Sequence, residues 1–476
     1  MKTLAIDQGT TSTRALVIDG DGSVRTIASL PHQQLYPAPD HVEHDPEELI
    51  RNILACLDAA GAIGDLGAIG IDNQGESCLG WDAETKSAVG PVIVWQDART
   101  SAFTDRLKAD GAEAIVRERA GLPLDPYFSA SKLAWILREI PEARRLADQG
   151  RLRLGTTDAF FLDRLTGRFE TDIATASRTS LMNITTGSWD PELCRLFGVP
   201  IEALPRIVPT SGDFGSLACG AKKVPLTASI VDQQASLYGH GCRRQGDAKI
   251  TFGTGAFALQ ITGTLHQNPG GGLLPTVAWQ NAGGAPVYAV DGGVYCASSA
   301  LEWARSLGLF DAFSDIDHFD TPPAISRGLA FVPSLAGLAC PHWDRSARGA
   351  WLGLSLDSTK ADLVQAVLEG VALRTAEVMM AISKASAPGE AISIDGGMTR
   401  NRYFCQFLAD CLERELIVSD QPELTAVGVA ALAAEAVGRP FAFTRSGRRV
   451  KPQSPCADWH AAFAAAVSGI KTFGSR

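Results

Sequence analysis

Two stretches, roughly half a chain apart, each place a glycine turn between β-type apolar runs. Residues 5–19 read Ala-Ile-Asp-Gln-Gly-Thr-Thr-Ser-Thr-Arg-Ala-Leu-Val-Ile-Asp. The pattern predicts a β-hairpin whose loop exposes backbone N–H groups and hydroxyls. Those donors suit a phosphate chain, and Gly9 lets the backbone approach closely. A polar hairpin turn with no special role has the same composition, so one copy decides little. The second copy is Lys-Ile-Thr-Phe-Gly-Thr-Gly-Ala-Phe-Ala-Leu-Gln-Ile-Thr-Gly, residues 249–263. A duplicated domain with one phosphate loop per half, the halves facing each other across a cleft, would produce this pair. A third glycine feature, Ile392-Ser-Ile-Asp-Gly-Gly397, reads as a buried strand that opens a helix near Asn401 and can pass close under a nucleotide.

Length and charge narrow the class. At 476 residues the chain is long enough for two or three domains, and 45% hydrophobic content supports a large core. The formal charge of −10 argues against nucleic acid as the main partner. An anionic nucleotide must then be held by local dipoles and magnesium. The first residues run straight into a strand, so no signal peptide is expected. No uninterrupted apolar run approaches a membrane span, so no membrane insertion is expected; the longest, near 426–438, contains Glu435. Ten cysteines are scattered without a CxxC pair, which reads as reduced core thiols in the cytoplasm.

Along the chain, strands are predicted at 3–7, 14–19, 24–29, 68–72 and 92–95. A helix is predicted over 47–60, with Asp45 as N-cap and Pro46 at its first position. Alternating strands and helices imply mixed or parallel sheets covered by helices. The polar break at 241–248 is placed as a domain boundary. Beyond it a strand is expected at 287–291 and another at 391–394, with helices at 296–307, 360–384, 401–413 and 425–437. The Pro/Gly-rich segment 268–286 reads as loop. The tail from about 440 reads as basic chain, then a terminal helix packed on the surface.

Further segments join these: Val42-Glu-His-Asp-Pro46, Val94-Trp-Gln-Asp97, Gly121-Leu-Pro-Leu-Asp-Pro-Tyr-Phe-Ser-Ala130, Ala176-Ser-Arg-Thr179, Asp232-Gln-Gln234 and Pro341-His-Trp-Asp-Arg-Ser-Ala-Arg-Gly349. Nearly end to end, the chain resembles the FGGY carbohydrate kinase family, and within it the glycerol kinases. The resemblance implies an α/β fold of two actin-like (ribonuclease H-like) ATPase domains with an inter-domain catalytic cleft. Residues 1–242 would form the polyol- or sugar-binding domain with the first phosphate loop, and 243–476 the nucleotide-binding domain. The implied activity is ATP-dependent phosphorylation of a primary hydroxyl of a small polyol, glycerol or a glycerol-like substrate, with ATP and Mg2+. A cytoplasmic homodimer or homotetramer is expected.

Residue by residue, the resemblance implies Asp232 as general base, with Asp7 and Asp232 at the metal. Taken alone, an Asp before Gln-Gln-Ala-Ser-Leu would more commonly cap a helix, and the two roles are compatible. The polyol positions would be Gly75, Glu76, Trp95, Tyr127, Asp232, Gln233 and Phe257. Trp95 and Phe257 would form an apolar wall, and Glu76, Tyr127 and Gln233 would bind hydroxyls. Nucleotide positions would be Thr10, Thr11, Ser12 and Arg14 on the first loop, Thr254 and Gly255 on the second, then Ser298, Glu302, Gly397 and Asn401.

The chain departs from the pattern at three of these. Gly75 stands where glycerol kinases carry arginine, removing several donors and freeing volume. Ser298 replaces a small glycine and Glu302 a glutamine. Gly75 therefore opens an alternative, a kinase for a tetritol, pentitol or ketose. A reading of another class is a non-kinase ATPase of the actin/Hsp70 type, which needs no polyol pocket. The absence of a GxxxxGK[ST] pattern argues against a P-loop kinase.

Overall fold

The computed structural model describes residues 1–267, 269–441, 446–454 and 456–474. It divides into two compact units. One comprises Met1–Gly241, Pro275–Tyr288 and Glu423–Thr444, the other Cys242–Leu274, Ala289–Pro422 and Arg445–Arg476.

The first unit is built on a six-stranded mixed sheet, in the order Ser216–Cys219, Lys222–Val231, Leu66–Asn73, Lys2–Gln8, Ser12–Ile18, Val24–Pro31. Lys2–Gln8 and Ser12–Ile18 form the predicted antiparallel hairpin, with Asp7 opposite Arg14. The three central strands run parallel, so Gln8, Asn73 and Val231 end in adjoining register. Alternating apolar side chains such as Leu4, Ile6, Ile69, Ile71 and Leu226 are fully buried, which pins the register. The helix Pro46–Ala59 starts as predicted: Asp45 accepts from Glu47 N (2.9 Å), Pro46 stands at the first position, and Leu49, Ile50, Ile53 and Leu57 face the core. A four-stranded sheet, Glu43–His44, Val92–Ile93, Cys78–Asp82 and Leu152–Thr156, lies in the same unit.

The second unit repeats the motif. Ala248–Phe252 and Ala256–Gly263 form an antiparallel hairpin, and Ala248–Phe252 pairs in parallel with Ala391–Gly396. Glu415–Ser419 and Gly447–Val450 continue that sheet. The duplicated hairpin with a parallel third strand is thus present in both units. The long helix Lys360–Ala385 opens on a capping box between Thr359 and Asp362. Helix Arg402–Leu412 is capped by Asn401, whose side chain accepts from Phe404 N (2.7 Å).

Two sequence expectations are corrected. Segment 268–286 contains a strand, Leu274–Trp279, all six residues of which are buried; Leu-Pro-Thr-Val-Ala-Trp is apolar enough to override the glycine run before it. The tail from 440 is more than surface packing. Gly447–Val450 adds a strand to the sheet, and Phe463, Val467 and Ile470 of helix Ala457–Gly474 belong to the main core. Parts of that tail, 442–445, 455 and 475–476, lie outside the described residues. All ten cysteine side chains are buried. Among the described residues no helix is long and apolar enough to cross a membrane.

Candidate active site

In the first unit the parallel strand ends collect carboxylates. Asp7 and Asp72 are register partners, and Asp232 follows the last residue of strand Lys222–Val231. Asp72 is fully buried, and its proton affinity is pushed well above the usual carboxylate range, first by burial and then by repulsion from Asp7 and Asp232. Asp7 pairs with the Arg14 guanidinium, which also donates to Glu423 (2.7 Å). Asp232 is the first residue of helix Asp232–Gly239, and its Oδ1 accepts from Gln233 N (2.6 Å). The helix is capped from Val231 without a side-chain bond, so Asp232 does not take the N-cap role; its carboxylate stands at the first helical position beside the other two carboxyls. Carboxylate oxygens in mutual repulsion are a donor set suited to a hard divalent cation. Among the described residues no three His, Cys, Asp or Glu groups stand close enough to ligate one ion directly.

The first phosphate loop is the turn after Gln8. Gly9 N donates to Ser12 O (3.1 Å), and Thr11 is exposed while Thr10 and Ser12 are half-buried. Thr10 Oγ1 accepts from Trp95 Nε1 (3.2 Å), which ties the loop to the expected apolar wall. Trp95 meets Tyr127 edge-on, ring centres 5.8 Å apart. The Tyr127 loop is fixed from beneath: the buried Lys132 ammonium donates to the carbonyls of Pro126 (3.1 Å) and Tyr127 (2.5 Å).

Gly75 and Glu76 follow the central strand. Glu76 is buried, with φ of 55° in the left-handed region, and Ser77 N bridges back to Gly75 O (2.6 Å). A non-glycine residue in that conformation is strained, and such strain persists where the surroundings impose it. Here Ser129 Oγ grips Glu76 O (3.0 Å), and Arg178 Nε donates to Glu76 Oε1 (2.7 Å). A Cβ on Gly75 would lie 2.9 Å from Val231 Cγ2. The space expected to be freed at Gly75 is therefore already entered by Val231.

In the second unit, Gly253–Gly255 forms the second loop. Thr254 O accepts from Ala297 N (2.8 Å) and Ser299 Oγ (2.9 Å), and Gly253 O from Ser298 N (3.1 Å). Gly255 is required by space, since a Cβ there would lie 2.5 Å from Val294 O. Ser298 and Gly397 are neighbours: a Cβ at 397 would stand 4.0 Å from Ser298 Oγ. Glu302, on helix Ser298–Ser306, is exposed and pairs with Arg305 (2.8 Å). Asn401 is engaged at both ends of its amide, capping its helix and donating to Ile316 O (2.7 Å).

The structure thus groups Asp7, Thr10, Thr11, Ser12, Arg14, Gly75, Glu76, Trp95, Tyr127, Asp232 and Gln233 in the first unit. Thr254, Gly255, Phe257, Ser298, Glu302, Gly397 and Asn401 belong to the second. Sequence reasoning passed over Asp72 and Arg178 as site residues. Asp72 carried a readable signal, because Ile71-Asp72 repeats the strand-end pattern of Ile6-Asp7. Arg178 lies in Ala176-Ser-Arg-Thr179, one of the segments that carry the resemblance, but its role depends on a partner 102 residues away.

Family models for the N-terminal and C-terminal domains of the FGGY family of carbohydrate kinases match residues 2–239 and 248–437. The glycerol kinase of Trichlorobacter lovleyi is 42% identical over 446 residues, 91% of this chain and 90% of its own length. That of Gluconobacter oxydans is also 42% identical, over 91% of this chain and 87% of its own. Among solved structures, Plasmodium falciparum glycerol kinase with ADP matches with a TM-score of 0.89 at 27% identity, covering 98% of both chains. The xylulose kinase of Rhodospirillum rubrum shares the fold, with a TM-score of 0.84 at 23% identity over the whole of both chains. On this evidence, and with the duplicated phosphate-loop motif in both of its units, the chain belongs to the FGGY family of carbohydrate kinases.

Proposed function

We propose that the protein transfers the γ-phosphoryl group of ATP to a primary hydroxyl of glycerol or a polyol of similar size. The observation that carries the reading is the grouping, in one unit, of a carboxylate at a strand end with a buried acid and two facing aromatic rings. Gly75, beside Glu76, abuts Val231, beside Asp232, and Trp95 and Tyr127 stand edge to face. A polyol needs hydroxyl partners and an apolar wall together, and a filament-forming or chaperone ATPase needs neither. The curated relatives named glycerol kinase, 42% identical over nine-tenths of the chain, support the same substrate class.

On this reading Glu76, Tyr127 and Gln233 orient the polyol's hydroxyls, and Trp95 covers its carbon skeleton. The Asp232 carboxylate takes the proton of the attacking hydroxyl as that oxygen bonds to phosphorus. The bond to the ADP oxygen breaks, and the proton remains on Asp232 until product leaves. Backbone amides and hydroxyls at Gly9–Ser12 and Gly253–Gly255 bind phosphate oxygens. Asp7 and Asp232 would hold a magnesium ion through its waters; when bound, it would neutralise phosphate charge.

Substrate size follows from Gly75. With Val231 Cγ2 2.9 Å from the position of a Cβ there, the missing side chain leaves no open extension of the site in that direction. That favours a three-carbon polyol over a pentitol or ketose. The test is ADP release, coupled to a dehydrogenase, across glycerol, tetritols, pentitols, ketoses and dihydroxyacetone. Glycerol should give the highest kcat/KM. A pentitol or ketose turned over at more than ~10 times the efficiency of glycerol would reject the size argument.

A further inference from the structure

We propose that Arg178 is a substrate-binding residue whose guanidinium, held beside Glu76, grips the polyol's hydroxyls and sets the substrate range; this rests on the polyol-kinase reading above. Gly75 brings no donor to the site, and its side-chain direction is closed by Val231. The guanidinium that stands here comes instead from the segment after helix Ile173–Ala176. Arg178 is only 4% exposed. Burying an ion pair is a poor way to gain stability, because desolvation offsets the attraction and an apolar pair of the same shape serves as well. A buried arginine on a buried, backbone-strained glutamate therefore points to chemistry.

The geometry fits a polyol. Arg178 Nε donates to Glu76 Oε1 at 2.7 Å, and its guanidinium carbon lies 5.6 Å from the centre of the Phe128 ring. Phe128 meets Tyr127 edge-on at 5.2 Å, and Tyr127 meets Trp95 at 5.8 Å. The planar fork is thus joined through two rings to the apolar wall. Its backbone is anchored: Arg178 N donates to Thr175 O (3.0 Å), and Asp172 caps the preceding turn through Ala174 N and Thr175 N (3.1 and 2.8 Å). A guanidinium has five N–H donors in a rigid plane; here Nε is on Glu76, and the buried Nη1 makes no hydrogen bond. Vicinal hydroxyls are natural acceptors for such a fork, with the Glu76 carboxylate accepting in return.

The experiment compares wild type with Arg178→Lys on glycerol, propane-1,2-diol and propane-1,3-diol, each diol lacking one hydroxyl. Lysine keeps a cation beside Glu76 but loses the fork. The variant should raise KM for glycerol by ~10-fold or more with kcat within about threefold. The wild-type preference for glycerol over one diol should collapse by a similar factor, because the grip on that hydroxyl is gone in both comparisons. An unaltered preference, or a fall in kcat at constant KM, overturns the proposal and leaves Arg178 as a support for Glu76. ATP affinity and the unfolding midpoint report that the variant is folded. If Arg178→Lys does not fold, Arg178→Gln, which keeps an N–H donor beside Glu76, is judged on the same diol preference. A wild type that turns over no polyol rejects the kinase reading itself, an outcome distinct from an active wild type whose variant keeps its preference.

Discussion

Gly239 and Gly428 interlock where two helices of the first unit cross. A Cβ on Gly239 would lie 1.8 Å from Leu424 O, and one on Gly428 1.8 Å from Ala235 O. Helix Asp232–Gly239, which begins at the proposed base, is thus pressed backbone to backbone on helix Leu424–Ala436. Tyr238 Oη reinforces the crossing with a hydrogen bond to Glu435 (2.6 Å).

Gly428→Ala should therefore destabilise the protein. Alanine gains up to ~1 kcal/mol of helix propensity at an interior position. The new methyl meets a carbonyl oxygen that cannot rotate away, so the helices must part, and overpacking costs about 1–3 kcal/mol or more. Urea unfolding should show a lower midpoint at unchanged slope. An equal or higher midpoint would mean that the helices separate freely and that their crossing does not fix Asp232.

Replacing Asp232 by Asn should leave nucleotide binding near wild type and lower kcat by about 10²–10⁴-fold, the usual loss for a missing general base. Asparagine still offers a side-chain oxygen to Gln233 N, which in the native chain donates to Asp232 Oδ1 at 2.6 Å, so the helix start is preserved. A variant retaining more than about a third of wild-type kcat would remove Asp232 from that role.

Much of this architecture could be read from local patterns. The hairpins at Lys2–Gln8/Ser12–Ile18 and Ala248–Phe252/Ala256–Gly263 are contiguous in sequence, and their alternation and turn chemistry suffice to place them. The cap at Asp45 was legible for the same reason. What escaped depends on long-range partners. Arg178 acquires meaning only when the fold sets it on Glu76, and Val231 closes the Gly75 direction across a strand pairing that no local pattern encodes. Leu274–Trp279 was hidden because the glycine run before it outweighs this short, mostly apolar stretch in any short window. Asn401 reads as a nucleotide contact, yet the structure also gives its amide to a helix cap and a loop carbonyl.

The buried His44 should make stability fall on mild acidification. Burial, and then the charge of neighbouring His32, lowers its pKa from 6.5 to about 3; the two rings meet edge-on at 4.7 Å. Below pH 6.5 the unfolded chain takes up a proton that the folded chain refuses until about pH 3. Stability from the neutral ring is thus complete above pH 6.5 and lost progressively as pH falls toward 3, at up to ~1.4 kcal/mol per pH unit. Other groups act in the opposite sense, including Asp172, raised by burial to about 7. The test is therefore a difference: unfolding free energy of wild type minus that of His44→Asn, from pH 7.5 to 5. That difference should shrink with acidification, and a flat difference would show that His44 titrates normally in the folded state.

Gly75 and Val231 should be energetically coupled through catalysis. A methyl at 75 would stand 2.9 Å from Val231 Cγ2. Val231 is the last residue of its strand, and Asp232 follows it. Gly75→Ala should push Val231 and tilt the carboxylate beside it, and a displacement of even ~1 Å at a reacting group can cost about 10²-fold in rate. Val231→Ala alone should cost much less in kcat, since it removes apolar contact and leaves Asp232 anchored by Gln233 N (2.6 Å). Combining the two removes the collision, so the double variant should recover much of the rate lost in Gly75→Ala. Contacting pairs commonly show interaction energies of about 0.5–3 kcal/mol in such cycles. Additive losses would mean that Gly75 affects turnover by another route, through the strained turn at Glu76 (φ 55°) instead of through Val231. Gly75→Arg alone is then a poor probe of substrate size, because any side chain there must first displace Val231, and a loss of glycerol turnover in that variant would report the displaced base before it reported the pocket.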